Sequence, residues 1–458
     1  MNDTPTTIVI GAGLTGLTAA FYLKKAGHTC LLLEQSDRVG GQIKTYEENG
    51  FIFESGPNTG VVGNAEVAEL FEDLAPLCAL EIANPAAKRR LIWKGDRFHV
   101  LPSGLLSGLT TPLFAFSDKF RLLLEPFRAK GTDPHESVGA LAARRMGLSF
   151  LDYAVDPFLS GVYAGDPLQL VTRFALPKLY QLEQDYGSFI KGALAKAKQP
   201  KTARDKKATK DVFSVANGLE GLPKALAKAI GSEAIALGVK DIQITPDAEQ
   251  YTVHYTQKGV VKTVQAKQII TTVPAYALAD LLDFVDPKSL SAITSLTYAP
   301  VVQVSAGFKH LPIHLLPAFG GLVPSKENRQ VLGILYPYAC FQNRAPQGGA
   351  LFSFFMGGMR HKDLLEASDE AIRELIYADL EAMLQLPAGV KPDLLRIFRH
   401  SRAIPQYEQS SEQRFEAITS IEQRYPHLYL GGNMHQGIGM ADRIKQGRLL
   451  AQRAIESV

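Results

Sequence analysis

VIGAGLTGLTAAFYLKKAGHTCLLLEQSDRVGGQIKT, residues 9–45, decides the fold. Gly11, Gly13 and Gly16 follow the apolar run Ile8-Val9-Ile10. They open an amphipathic stretch from Leu14 to Ala26 that Gly27 stops. Strand, glycine turn and helix in that order are the start of a dinucleotide-binding βαβ unit. Gly11 permits the tight turn, Gly13 lets backbone approach a pyrophosphate, and Gly16 lets the helix lie close to the strand. The helix N-terminus then faces the phosphates. Leu31-Leu32-Leu33 reads as the second strand, and Glu34 at its end can accept both ribose hydroxyls of an adenosine while repelling a 2′-phosphate.

A GxGxxG turn with an acid also fits an NAD-type unit. The continuation Arg38-Val39-Gly40-Gly41 separates the two, because a second glycine pair at this spacing resembles the extended motif of glutathione-reductase-like flavoproteins. The cofactor expected is therefore FAD.

At 458 residues and 46% hydrophobic content the chain is long enough for two or three domains with full cores. A net charge of +3, from 49 basic and 46 acidic residues, gives no reason to expect a nucleic-acid partner. Cys30, Cys78 and Cys340 are widely spaced, form no metal-binding pattern and fit a reducing cytosol. MNDTPTT leads directly into the first strand without the pattern of an export signal. No apolar run reaches the length of a membrane span, so the expectation is a cytoplasmic protein that lies at most on the cytoplasmic face of a membrane.

Along the chain, GFIFESGPNTG (50–60) reads as a strand whose end meets the cofactor cleft, with Gly56, Pro57, Asn58 and Thr59 in the turn. Residues 64–77 look helical, and 88–101 reads as a hairpin tipped by Lys94-Gly95-Asp96. Helical patterns dominate 117–195, and the lysine-rich 191–211 reads as a solvated loop, with attraction to anionic lipid as the functional alternative. Residues 212–230 are strand, glycine turn and helix, followed by strands at 239–244 and 268–274. Strand patterns recur at 298–308 and 350–358, and an amphipathic helix at 368–385. Residues 427–455 repeat the opening logic of strand, glycine-rich turn and helix. There, the backbone at Gly437-Ile438-Gly439-Met440 can stabilise negative charge on a reduced flavin ring. Cofactor-type segments thus enclose other material. The expected fold is α/β, α+β overall: a discontinuous Rossmann-like FAD domain (1–85, 212–275, 420–458), an inserted mixed-sheet substrate domain (86–100, 276–419) and a helical lobe (101–211).

VDPFLSGVYAGDP (155–167), LEQDYGSFIKGA (182–193), FSVANGLEGLPKAL (213–226), YAPVVQVSAGF (298–308), VLGILYPYACFQNRAP (331–346) and LYLGGNMHQGIGMADRIKQG (428–447) together resemble the oxygen-dependent protoporphyrinogen oxidase family. The resemblance spans nearly the whole chain and implies a helical lobe associated with the membrane surface. It also implies six-electron oxidation of a porphyrinogen to a porphyrin, with O2 reoxidising the flavin to give H2O2. Leu322, Leu335 and Phe355 match the ring-contacting wall, Arg89 the propionate-pairing arginine, and Asn58 a polar residue at the mouth between flavin and substrate, with Gly165 also expected to bind substrate. Lys88 and Arg90 flank Arg89, and a shift of one position changes the candidate. The cofactor set is Gly11, Ala12, Gly13, Leu14, Thr15, Gly16, Glu34, Gln35, Arg38, Gly40, Gly41, Gln42, Gly56, Pro57, Asn58, Thr59, Val239, Gly432, Asn433, Ile438, Gly439 and Met440. Val239 matches the residue whose backbone meets the adenine.

No acid–base pair or triad is evident, as expected where the flavin drives hydride removal and the protein positions the substrate. His435 reads as a turn residue in preference to a covalent flavin link. Protoporphyrinogen IX and coproporphyrinogen III both remain open as substrates, extra cationic groups favouring the second. Rival readings are a flavin amine oxidase, which requires an aromatic cage that Trp93 is badly placed to form, and a non-catalytic porphyrin carrier, against which the intact glycines argue. The segment 101–130, with leucines and phenylalanines beside Lys119, Arg121, Arg128 and Lys130, fits either an amphipathic face on a bilayer or a helix packed on its own domain. A poorly soluble substrate that is handed on favours membrane contact, with handover to a ferrochelatase.

Overall fold

The computed structural model describes residues 5–457. One half is built on a five-stranded, wholly parallel sheet in the spatial order Ile235–Ala236, Cys30–Leu33, Thr7–Ile10, Gln268–Thr271, Leu428–Leu430. Both faces are covered, which is why the strands read as unbroken apolar runs. Val9, Leu32, Ile270 and Tyr429 face a layer containing the helices Leu14–Lys25, Gly221–Ile230 and Met440–Glu456. Ile8, Ile10, Leu33, Ile269, Leu428 and Leu430 alternate to the opposite core, which includes the helices Pro287–Thr294 and Ser411–Arg424. Gly447 brings the first and last helices together: a Cβ there would lie 2.4 Å from the Thr15 carbonyl oxygen.

The strand expected at 239–244 does not join this sheet. The chain leaves it after Ile235–Ala236, turns at Gly238 (φ +66°), and Val239–Pro246 instead starts a separate antiparallel sheet with Tyr251–Gln257 and Val260–Ala266.

A seven-stranded mixed sheet forms the second half, in the order Leu394–Pro405, Tyr298–Phe308, Ala350–Gly357, Val331–Leu335, Gly320–Leu322, Arg90–Lys94, Arg97–Val100. Val302, Val304, Phe352, Phe354, Met356 and Trp93 pack on one side, where Ile372, Ile376 and Leu380 of the helix Asp369–Leu384 close the core. The other side meets the strand Phe51–Glu54: the Gln303 side-chain amide donates to the Glu54 carbonyl (2.6 Å), and Phe51 lies against Gly307.

Residues 105–206 supply a run of short helices. Their centre is ionic: Arg145, fully buried, donates to Glu183 (2.7 Å), to the Gly187 carbonyl (2.7 Å) and to Glu125. Glu125 in turn accepts from the Ser188 hydroxyl and the Phe189 N–H. The lysine-rich stretch 191–211, expected as a solvated loop, is largely helical. Phe189–Lys198 is capped by Ser188, and Ala203–Lys206 by a reciprocal Thr202–Asp205 pair. Lysine and alanine are strong helix formers, and a local cap is enough to realise that preference. Part of its charge is answered internally, since Arg204 pairs with Glu66 and Glu69, and Lys207 with Glu72.

Candidate functional site

The glycine turn has the geometry a dinucleotide requires. Gly11 sits at φ +100°, and a Cβ on Gly16 would lie 1.9 Å from the Gly11 carbonyl oxygen, so the helix can approach the strand only without a side chain. Gly13 is the opposite case: a Cβ there meets nothing within 4 Å. Gly13 also serves as the N-cap of Leu14–Lys25 with no side-chain cap, leaving the amides of that first turn, which includes Leu14 and Thr15, without a side-chain acceptor from the cap. The second glycine pair abuts this opening, with a Cβ on Gly41 placed 3.3 Å from Gly13 Cα. Arg38 holds that loop by donating to the carbonyls of Val39 (3.2 Å), Gly41 (2.5 Å) and Ile43 (3.0 Å). Gly40, at φ +106°, donates its N–H to the Ala12 carbonyl.

Glu34 folds onto the turn, accepting from the Ala12 N–H (2.6 Å) and from Ser36 (2.9 Å), while Gln35 beside it is exposed. The Val239 N–H donates to the Glu34 carbonyl (3.0 Å) and its side chain is fully buried. An adenine contact through that N–H is therefore not free in this arrangement. Across the opening, Gly56 presses on Gln42, and Pro57 and Thr59 flank Asn58. The Asn58 amide donates to the Gly56 carbonyl (3.0 Å), but its Oδ1 is buried with no partner. Gln42 lines an open cleft of about 450 Å3 together with Tyr276, Arg399, His400, Ser401 and Arg402. Sequence reasoning passed over His400. Its ring lies 2.5 Å from the Ser55 carbonyl, and burial holds its pKa below the ordinary histidine value.

Next to the first turn lies the second. Gly431 donates to the Thr271 carbonyl (2.7 Å), and the following residue, Thr272, donates its hydroxyl to the Gly11 carbonyl (3.0 Å). Gly432 (φ +97°) donates to Gln446, and Asn433 accepts from the Tyr298 hydroxyl (3.2 Å). Ile438 is half-buried and Met440 buried. The helix start here is less free than the motif suggests, because the Asp442 carboxylate accepts the Gly439 N–H (3.1 Å) and answers the positive helix end itself. The positive charge at this turn comes instead from two buried residues absent from the sequence reading. Arg443 donates to the carbonyls of Gly432, His435, Gln436 and Gly437, and Arg414 to that of Met434. In the sequence they look like ordinary surface charges of amphipathic helices. His435 is a structural turn residue, held neutral by burial that pulls its pKa down to about 4, with Nε2 on the Leu430 carbonyl.

In the seven-stranded sheet, strand register decides which residues share a face. Leu322 pairs with Gly333, Gly333 with Phe355 and Phe355 with Gln303, while Leu335 pairs with Gly320 and Ser353. Leu322, Leu335 and Phe355 therefore line one side, all half-buried, on the face whose Gln303 reaches Glu54. The helix Asp156–Tyr163 lies over the far end, where Leu322 meets Gly161 and Ala164 packs near Phe355. Gly165 follows this helix, and a Cβ there would sit 2.5 Å from Gln406. The register pairs Gly320 with Arg90, so the arginine on this face is Arg90; Arg89 precedes the strand, exposed, with its carbonyl accepting the Phe319 N–H. Trp93 is buried in the opposite core and forms no cage.

An uncapped helix start above an open Gly13, a second glycine loop beside it and an orphaned Asn58 acceptor fit FAD. The profile of flavin-containing amine oxidoreductases matches residues 14–455. The chain belongs to this family. Human protoporphyrinogen oxidase is 31% identical over 475 residues, covering 97% of each chain. Coproporphyrinogen III oxidase of Bacillus subtilis is 26% identical, covering 98% of this chain and 97% of that one. A crystal structure of a candidate protoporphyrinogen oxidase of Exiguobacterium sp. 255-15 superposes with a TM-score of 0.79 at 22% identity over 98% of both chains, a likeness of fold. This flavin-containing oxidoreductase uses FAD.

Proposed function

We propose that this oxidoreductase converts a porphyrinogen to the porphyrin, protoporphyrinogen IX in the first instance, with three O2 reduced to three H2O2 per six-electron oxidation. The observation that carries the reading is the apolar face Leu322–Leu335–Phe355, continuous at one end with the strand that meets Glu54 beside the cofactor turn and flanked at the other by Arg90. A macrocycle with apolar rings and carboxylate arms needs such a wall with a cation at its edge. Bound FAD supplies the two-electron acceptor. Phe355 and Leu335 hold the ring and exclude water, Arg90 pairs with a propionate, and Asn58 Oδ1 offers an acceptor between cofactor and substrate.

Coproporphyrinogen III, the alternative, carries four propionates where protoporphyrinogen carries two. The other arginines near Gly165, Arg329 and Arg360, are already spent on Asp379 and on Asp156 and Asp166. That supports the less acidic substrate. Anaerobic mixing of the holoprotein with each porphyrinogen, followed by air, tests this. Protoporphyrinogen should bleach the flavin and then give fluorescent porphyrin with peroxide; no bleaching by either substrate overturns the reading. Arg90→Ala should raise KM by roughly tenfold, more than Arg89→Ala, with FAD content unchanged. The reverse order would return the anchor to Arg89.

No helix of the described residues is long and apolar enough to cross a membrane. The helical lobe exposes Leu106, Phe116, Phe120, Leu124 and Phe127, and peripheral contact with a bilayer is part of the proposal. Cosedimentation with anionic vesicles should be lost in a Phe116→Asp, Phe127→Asp double variant that keeps its flavin. Retained binding would remove this face.

A further inference from the structure

The closing turn 431–439 contains a charge arrangement that FAD binding alone does not require. Arg443, 9% exposed, spends Nη1 on the Gly432 carbonyl and the Gln446 side chain (2.7 Å). Its Nη2 donates to the carbonyls of His435 (2.9 Å), Gln436 (3.0 Å) and Gly437 (2.9 Å), and its Nε is buried without an acceptor. Arg414, 1% exposed, donates to the Met434 carbonyl (2.9 Å) and the Ser411 hydroxyl (2.9 Å), between the rings of Tyr407 and Phe415. Among the described residues neither guanidinium forms an ion pair. The nearest acid in sequence, Asp442, directs Oδ2 to the Gly439 N–H.

A buried cation without a counter-ion is costly, and backbone carbonyls answer it with partial charge alone. Other buried arginines of this chain are neutralised, Arg145 by Glu125 and Glu183 and Arg344 by Glu81. The two that are not both grip the turn that touches the Gly11 loop through Thr272. The exception has a purpose if the missing negative charge arrives with function. A flavin ring gains electrons on reduction, and a fixed buried cation beside it favours that state without reorganisation.

We propose that Arg443, backed by Arg414, is a positioning residue that sets the reduction potential of the bound flavin: it shapes the turn 431–439 and supplies an uncompensated positive charge that stabilises the reduced ring. This rests on FAD use and not on the identity of the substrate. Asp442 opposes it, its carboxylate lying one residue away at the same helix start.

The test uses FAD-loaded protein without substrate. Sulfite, an anion that adds to oxidised flavin and leaves negative charge on the ring, is titrated, and the midpoint potential is measured against a reference dye. Arg443→Met should weaken sulfite binding roughly tenfold or more and shift the potential to more negative values, with FAD affinity less affected. Arg443→Lys should recover most of the potential despite losing the forked hydrogen bonds. Asp442→Asn keeps an acceptor for the Gly439 N–H and should shift both readouts in the opposite direction, so the proposal stays testable if Arg443→Met does not fold. An unchanged potential in loaded Arg443→Met, or in Asp442→Asn, overturns it. So does equal damage by Lys and Met, the mark of a purely structural role.

Discussion

The turn at Gly11–Gly16 and the turn at 431–439 both lead from the C-terminal end of a parallel strand into a long helix, yet they are held by different means. The first is held by the absence of side chains: Gly16 lets backbone meet backbone, and Gly13 keeps one side clear. The second is held by side chains of the most polar kind, two buried guanidiniums gripping five carbonyl groups. A phosphate site is best made of bare amides at a helix start, whereas a site that must answer a changing charge needs a fixed one.

The severest way to break the first arrangement is Gly16→Val. Its Cβ must displace the Gly11 carbonyl, so a loss of more than about 3 kcal/mol is expected, read as collapse of soluble yield and of the thermal midpoint. A variant folding like the parent would show that the helix can shift. Gly13→Ala sharpens the same contrast. Its backbone (φ −71°, ψ 177°) accepts alanine and no atom obstructs the methyl group, so the apoprotein should melt unchanged while FAD affinity falls by about tenfold or more. Unaltered affinity would place the pyrophosphate elsewhere.

A pH-dependent effect lies beside the cofactor turn, at Glu54, a buried acid that accepts the Leu219 N–H (2.8 Å) and the Thr45 hydroxyl (2.7 Å). Burial pushes its pKa from 4.5 to about 7. The folded state therefore binds its proton more tightly than the unfolded chain, and stability is fully present below pH 4.5 and falls as pH rises to 7. The cost is on the order of 3 kcal/mol by linkage. Glu54→Gln, a mimic of the protonated acid, should abolish that slope in urea titrations at pH 5 and pH 8. A slope that survives would trace it to other groups.

The first turn was legible because glycines and a strand-end acid act through local backbone geometry, and the apolar wall because whole-chain resemblance marked Leu322, Leu335 and Phe355. Arg90 was not separable from Arg89, since only the pairing of Gly320 with Arg90 assigns the face. Arg414 and Arg443 escaped because an arginine in EQRFEA or ADRIKQ reads as helix surface until the helix is packed. The lysine-rich 191–211 was misread as loop because its lack of apolar period says that it is not core, and says nothing about whether it is helical. Its partners, Glu66, Glu69 and Glu72, lie on a helix well over a hundred residues earlier.

The strand order carries one more consequence, in time. Thr7 meets Gln268 across 261 residues, and Gln268–Thr271 must still wait for Leu428–Leu430. At ribosomal rates of roughly 5–20 residues per second, the first glycine turn emerges on the order of 20–80 s before the strand that completes its edge. Through that interval the nascent sheet exposes an unpaired apolar border, which favours misassembly. The turn at 431–439, which packs on Thr271 beside the Gly11 loop, is among the last parts of the fold to emerge, so any site that uses both turns is complete only once synthesis has passed residue 440.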